Sequence, residues 1–201
     1  VASKLGLRYL DTGAMYRCLA FAALSAGLDA TQGEEAAALM DGLSIRFGVG
    51  DPQPVFLNDE DVTALVRTPE IGEVASALSQ YTPVRQKMVA LQQEMVAEGG
   101  VILEGRDVTT VVAPDATLKI YMTASLEERA KRRLGEFKAK GLDESFQSVR
   151  TAIQNRDNRD INREDSPLKV ADDAEVVETA GMSPDQVAEE VVNLLRYKLK
   201  G

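Results

Sequence analysis

Histidine and tryptophan are absent from these 201 residues, and cysteine occurs once, at Cys18. Without histidine there can be no Ser-His-Asp or Cys-His nucleophile, no histidine general base and none of the common histidine metal sites. One cysteine rules out an internal disulfide framework and a multi-cysteine zinc site. No apolar run approaches membrane-spanning length, and the opening residues do not read as a secretory signal, so a cytoplasmic protein is expected. Basic excess is missing too. The net charge of -9 argues against a general nucleic-acid binder, whose footprint is usually basic. What remains is chemistry run by carboxylates, arginines, lysines, hydroxyls and backbone amides. Phosphoryl transfer suits that inventory, because it rests mostly on positioning and charge neutralisation.

The length suits one α/β unit with a small insert, and the apolar share of 44% is ordinary for a globular domain with its own core. Val1–Leu5 followed by Gly6 reads as the last turn of a helix with a glycine stop, which implies an upstream segment in the parent protein. Leu7–Leu10 reads as a strand running into the turn Asp11-Thr12-Gly13, and 14–26 as a helix closed by Gly27. Thr31-x-x-Glu34 predicts a capping box opening a helix to about Leu43. Between about 44 and 67, short β-type runs separated by Gly, Pro, Asn and Asp predict a small antiparallel insert. Helices are predicted from Pro69 and Pro83, strands at 101–103, 118–122 and 176–177, and later helices capped by Ser125, Asp143 and Ser183. Strands alternating with helices predict a doubly wound parallel sheet, whose ligands sit beyond the carboxyl ends of the strands.

Two polar segments occupy such ends: Asp11-Thr12-Gly13 with Tyr16 and Arg17, and Glu104-Gly105-Arg106-Asp107. Each reads as a polar turn or as a ligand loop. Arg156, Arg159 and Arg163 recur at spacings of three and four on one helix face, with Asp157 and Asp160 interleaved. That pattern fits a solvated salt-bridged face, or an arginine fork for phosphate with carboxylates able to accept from a base or sugar. Arg129, Arg132 and Arg133, ahead of Gly141, read either as a basic helix end or as a cationic lid over about 129–142. Cys18, among small helical residues, reads as core.

Taken in order, Tyr9-Leu-Asp-Thr-Gly-Ala-Met-Tyr-Arg17, Val66-Arg-Thr-Pro-Glu70, Pro83-Val-Arg85, Glu104-Gly-Arg-Asp107, Ala113-Pro-Asp115, Glu127-Glu-Arg-Ala-x-Arg-Arg133 and Arg156-Asp-x-x-Asp160-x-x-Arg163 closely resemble the bacterial cytidylate kinase family. The resemblance runs the length of the chain and implies a P-loop nucleoside-monophosphate kinase fold, with 44–67 as the enlarged monophosphate-binding region. It implies ATP-dependent phosphorylation of CMP or dCMP, with Mg2+, by a monomer that needs neither nucleic acid nor membrane. It implies that Thr12 and Arg17 lie near the acceptor phosphate and that Ser76, Arg85, Asp160 and Arg163 read cytosine, while Asp107 holds the sugar. Arg106 and Arg156 would clamp phosphates, and Arg132 and Arg133, with Arg129, would belong to the lid. The family's glycine-rich phosphate loop is expected before Val1, so residues 1–201 alone are expected to be inactive. Kinases for UMP or AMP, a non-catalytic nucleotide-binding module and a purely structural interaction protein are the rival readings.

Overall fold

The computed structural model describes residues 1–50 and 52–200. A single helical turn, α1 (Ala2–Leu5), stops at Gly6, whose φ of 65° lies in the left-handed region that a glycine enters without a Cβ clash. Strand β1 (Arg8–Asp11) follows and leads directly into helix α2 (Thr12–Ser25). Asp11 closes the strand and caps the helix, its Oδ1 accepting from the Ala14 amide at 2.9 Å. In α2, Met15, Cys18, Leu19 and Ala23 fall on one face at helical spacing and are fully buried.

Helix α3 (Gly33–Leu39) differs from its predicted start, since Thr31 turns its side chain back onto Asp29 and gives no cap. Gly33 is the residue that fits there, because a Cβ would stand 2.0 Å from the Tyr81 ring. The insert is a three-stranded antiparallel sheet of β2 (Ile45–Phe47), β3 (Val55–Leu57) and β4 (Glu60–Asp61). The β3–β4 hairpin turns through Asn58 and Asp59, both at positive φ, as a two-residue mirror-image turn requires.

Helix α4 (Pro69–Leu78) combines a Thr68 cap, proline in its first turn and Glu70 near its positive end. Helix α5 (Thr82–Val96) buries Val84, Met88 and Gln92 one turn apart. Together α2, α3, α4, α5 and the inner face of the insert enclose one core, from Leu10 to Met88. Strand β5 (Val101–Glu104) then pairs in parallel with β1, setting Asp11 opposite Glu104 at the carboxyl end. A wide helical turn spans Val108–Val112.

The remainder comprises β6 (Ile120–Thr123), α6 (Leu126–Ala139), α7 (Phe146–Asn162), β7 (Glu175–Glu178) and α8 (Pro184–Lys198), with β6 and β7 parallel. The cap of α7 is Ser145, two residues beyond the predicted Asp143. Ser183 and Gln186 form a complete capping box, whereas Ser125 makes only its own half of one. The fold is therefore mixed α/β with parallel strand pairing, as expected. Among the described residues the parallel strands bond as two pairs, β1–β5 and β6–β7, in place of the single sheet predicted. Among those residues no helix is long and apolar enough to cross a membrane.

Candidate active site

The carboxyl ends of β1 and β5, the first turns of α2 and α5, and the end of α7 bring one polar cluster together. Its deepest pair is Arg85 and Asp107, each almost fully buried, with Arg85 Nη2 donating to Asp107 Oδ2. Arg163 stands next to them, its Nη2 3.8 Å from Asp107 Oδ1 and its Nη1 3.4 Å from Asp160 Oδ1. On its far side Asp160 meets two more guanidinium groups: Oδ2 lies 3.4 Å from Arg106 Nε and 3.8 Å from Arg156 Nε. Asp157 bridges onward, 3.7 Å from Arg106 and 2.6 Å from Arg129. The cluster thus has an order: Arg85, Asp107, Arg163, Asp160, then Arg106 and Arg156.

Electrostatics extend that order to Arg17. The Arg156 pKa is lowered, first by burial and then by Arg106, with Arg17 contributing as well. Burial, then Arg133, lowers that of Arg17. Arg163 is lowered by burial and by Arg85. Arg17 is steadied by the carbonyls of Val66 and Thr68, at 3.2 and 3.4 Å from Nη1, and its guanidinium lies against Gly72, where a Cβ would come within 3.2 Å.

Buried polar atoms with unmet hydrogen bonds gather here. They include Tyr16 Oη, Arg85 Nε, Arg156 Nε, Asp157 Oδ1, Asp160 Oδ2 and Arg163 Nη2, and Ser76 Oγ, on α4, is buried and unmet as well. In a native interior such groups are rare and each costs stability, so their concentration at one place marks a surface prepared for a polar ligand. Tyr16 was singled out with the Asp11-Thr12-Gly13 turn but given no role by the resemblance. Its hydroxyl is pushed up to about 12 by burial, and its ring lies 5.7 Å from the Arg85 guanidinium carbon. Tyr9 is also raised by burial and by Glu104, whose own pKa is raised by burial against a lowering contribution from the Tyr9 hydrogen bond.

Other predicted residues are engaged elsewhere. Thr12 is buried, and its hydroxyl donates to the Glu104 carbonyl at 2.7 Å, beside Gly105, where a Cβ would meet Thr12 Oγ1 at 2.3 Å. Arg159 leaves the arginine face and pairs with Glu73 of α4 at 3.0 Å. Arg163 is the extended C-cap of α7, so its place beside Asp107 comes from the chain leaving the helix and not from helical spacing. Arg129 is held by Asp157, Arg132 donates to the carbonyl and hydroxyl of Thr179, and Arg133 pairs with Glu136 at 2.7 Å while lying over the Phe137 ring. The segment predicted as a lid is the regular helix α6, packed along α7.

An α/β fold that gathers arginines and two buried carboxylates at its strand ends is that of a nucleotide-binding phosphotransferase. The sequence model described as cytidylate kinase matches residues 1–197. Proteins named cytidylate kinase from Bacillus cereus and Bacillus thuringiensis are each 42% identical to it over 196 residues, covering 97% of this chain and 87% of theirs. The chain belongs to the cytidylate kinase family.

Proposed function

We propose that this chain carries the acceptor site of an enzyme that transfers the γ-phosphoryl group of ATP to CMP or dCMP, giving CDP or dCDP and ADP. The observation that carries the reading is the line of buried, unmet polar atoms from Arg85 through Arg163 and Asp160 to Arg156. A pyrimidine monophosphate presents groups in the matching order: base, sugar, phosphate.

At the phosphate end, Arg17, Arg106 and Arg156 converge, and their mutual repulsion is relieved when a dianion enters. The nucleophile is an oxygen of the acceptor phosphate, already ionised at neutral pH, so a chain without histidine loses nothing by lacking a general base. Charge on the transferred group is stabilised by guanidinium groups that hold fixed positions before reaction. Arg133, near enough to lower the Arg17 pKa, is the member of α6 closest to that task. Arg129 and Arg132 reach it only if α6 moves and releases their bonds to Asp157 and Thr179.

The contact order favours exchanging the two predicted carboxylate roles. Asp160 adjoins the phosphate-side arginines, which suits sugar hydroxyls, while Asp107 lies deeper with Arg85, which suits the amino group of cytosine. Ser76 and Arg163 supply further donors there, for the ring acceptors.

Mg2+ would accompany ATP, supplying neutralisation of the polyphosphate charge. Among the described residues no group of three or more metal-ligating side chains stands together. The same reading takes the protein as a cytoplasmic monomer acting on small nucleotides, with neither nucleic acid nor membrane as partner; the charge of -9 supports the absence of nucleic acid.

The test is steady-state kinetics of the full-length protein with CMP, dCMP, UMP, AMP and GMP. Preference for AMP or GMP overturns the substrate, and no turnover with any monophosphate overturns the activity. Asp107→Ala is expected to lower the CMP-to-UMP ratio of kcat/KM by roughly ten- to a hundredfold, and Asp160→Ala to lower both together. The reverse result restores Asp160 as the base reader.

A further inference from the structure

Helix α5 carries Arg85 in its first turn, and apart from Pro83 that helix start has no local side-chain support. Its N-cap, Tyr81, makes no side-chain cap bond, and no acidic residue stands in its first turn. The missing partner comes from a distant part of the chain. Asp165, in the turn that follows α7, accepts from the Thr82 hydroxyl. A carboxylate at this position also faces the positive end of the helix.

The same turn controls Arg163. Ser166 adopts a φ of 49°, in the left-handed region, and its carbonyl accepts from Arg163 Nε at 2.7 Å. The Leu168 amide donates to the Asp160 carbonyl at 2.8 Å, returning the chain onto α7. With Nε committed to Ser166 and Nη1 near Asp160, only Nη2 of Arg163 remains unmet, and it points toward Asp107. Beside this turn lies a cavity of about 270 Å3, lined by Arg85, Gln93, Val111, Asp165 and Ser166 among others. Since open space adjoins the turn on that side, hydrogen bonds hold it more than packing does.

We propose that Asp165 is a positioning residue for nucleotide recognition: through Thr82 it ties the turn that aims Arg163 to the helix start that aims Arg85, so that both guanidinium groups keep their places around Asp107. It touches no substrate itself. The inference rests on the acceptor-site reading above.

The experiment uses the full-length protein with Asp165→Ala, Thr82→Val and their double variant, measuring CMP affinity by titration calorimetry, KM and kcat for CMP, and Tm. Each single variant is expected to raise Kd and KM for CMP about five- to tenfold, with kcat within about twofold. The double variant is expected to be no worse than either single one, as coupled partners require. Unchanged Kd and KM overturn the proposal, as do losses that add in the double variant or fall only on Tm. Ser166 provides a second arm. Ser166→Gly, which tolerates the left-handed backbone, is expected to keep wild-type affinity, and Ser166→Val, which disfavours it, to lose it to a similar degree. Equal affinities for those two variants also overturn the proposal. A wild type that binds no CMP overturns both this inference and the acceptor-site reading, whereas wild-type binding with unaffected variants overturns this one alone.

Discussion

The two halves of the molecule are held by different forces. From Leu10 to Met88, nineteen buried apolar side chains form one continuous core. Beyond β5, among the described residues, the buried apolar side chains thin out to Val112, Ala130, Val149, Val177 and Val192. There the helices are linked by charge: Arg129 to Asp157 at 2.6 Å and Arg150 to Glu127 at 3.1 Å between α6 and α7, and Arg159 to Glu73 at 3.0 Å back to α4. Half-exposed ion pairs hold weakly and can exchange partners, whereas a packed core cannot deform by small steps. The candidate site lies on the seam. Arg17, Ser76 and Arg85 come from the packed half, and Asp160, Arg156 and Arg163 from the ion-paired half.

The contrast is broken most severely at the buried Arg85–Asp107 pair. Arg85→Ala takes from the buried Asp107 carboxylate its hydrogen-bonded partner, leaving only Arg163 at 3.8 Å, and is expected to cost about 3 kcal/mol, with CMP binding lost. Arg129→Ala, which removes a partly exposed pair, is expected to cost no more than about 1 kcal/mol, both read by denaturant titration. Similar losses would mean that burial does not separate the two pairs.

Apolar truncation sharpens the same comparison. Leu19→Ala is expected to cost about 2–5 kcal/mol, because Leu19 is enclosed on all sides. Val149→Ala, which removes two methyl groups from the thinner half, is expected to cost roughly 1.5 kcal/mol. A larger loss at Val149 would place the main core elsewhere.

Salt provides a milder probe. At 1 M NaCl the Debye length falls to about 3 Å, so amide exchange in α6 and α7 is expected to quicken roughly two- to fivefold relative to α2 and α5. Uniform exchange rates across the four helices would count against ion pairing as what distinguishes the second half. The region from Arg129 to Gly141 is expected to exchange first, since α6 fully buries only Ala130.

The smallest effect concerns Glu104. Burial raises its pKa, so the ionised form penalises the folded state. That penalty is absent below the ordinary carboxylate pKa of about 4.3, grows as pH rises through the raised value, and is complete above it. Glu104 is itself exposed at the end of β5, so solvent screens this penalty. Glu104→Gln is expected to remove the pH dependence and raise Tm by no more than about 1 °C at neutral pH. A variant that loses stability at pH 7 would show that the Tyr9 hydrogen bond outweighs the burial cost.

Sequence alone settled what depends on near neighbours. The Pro69 helix start, the Ser183–Gln186 capping box, the Gly6 stop and the antiparallel insert were all legible, because caps, turns and strand alternation are decided within a few residues. The ordered motifs also carried the family, in agreement with the match over residues 1–197. Even short-range reading failed where two caps competed. Thr31 preferred Asp29, and Ser145 displaced Asp143, because each choice depends on a hydroxyl rotamer that sequence does not specify. Only the tertiary structure decided which charges meet. Nothing in the spacing of Arg156, Arg159 and Arg163 distinguishes the two that face Asp160 from the one that leaves for Glu73, and nothing local joins Arg85 to Asp107 or Asp165 to Thr82. Those pairings are made where separate strands and helices end side by side, and desolvation there turns ordinary surface charges into a site.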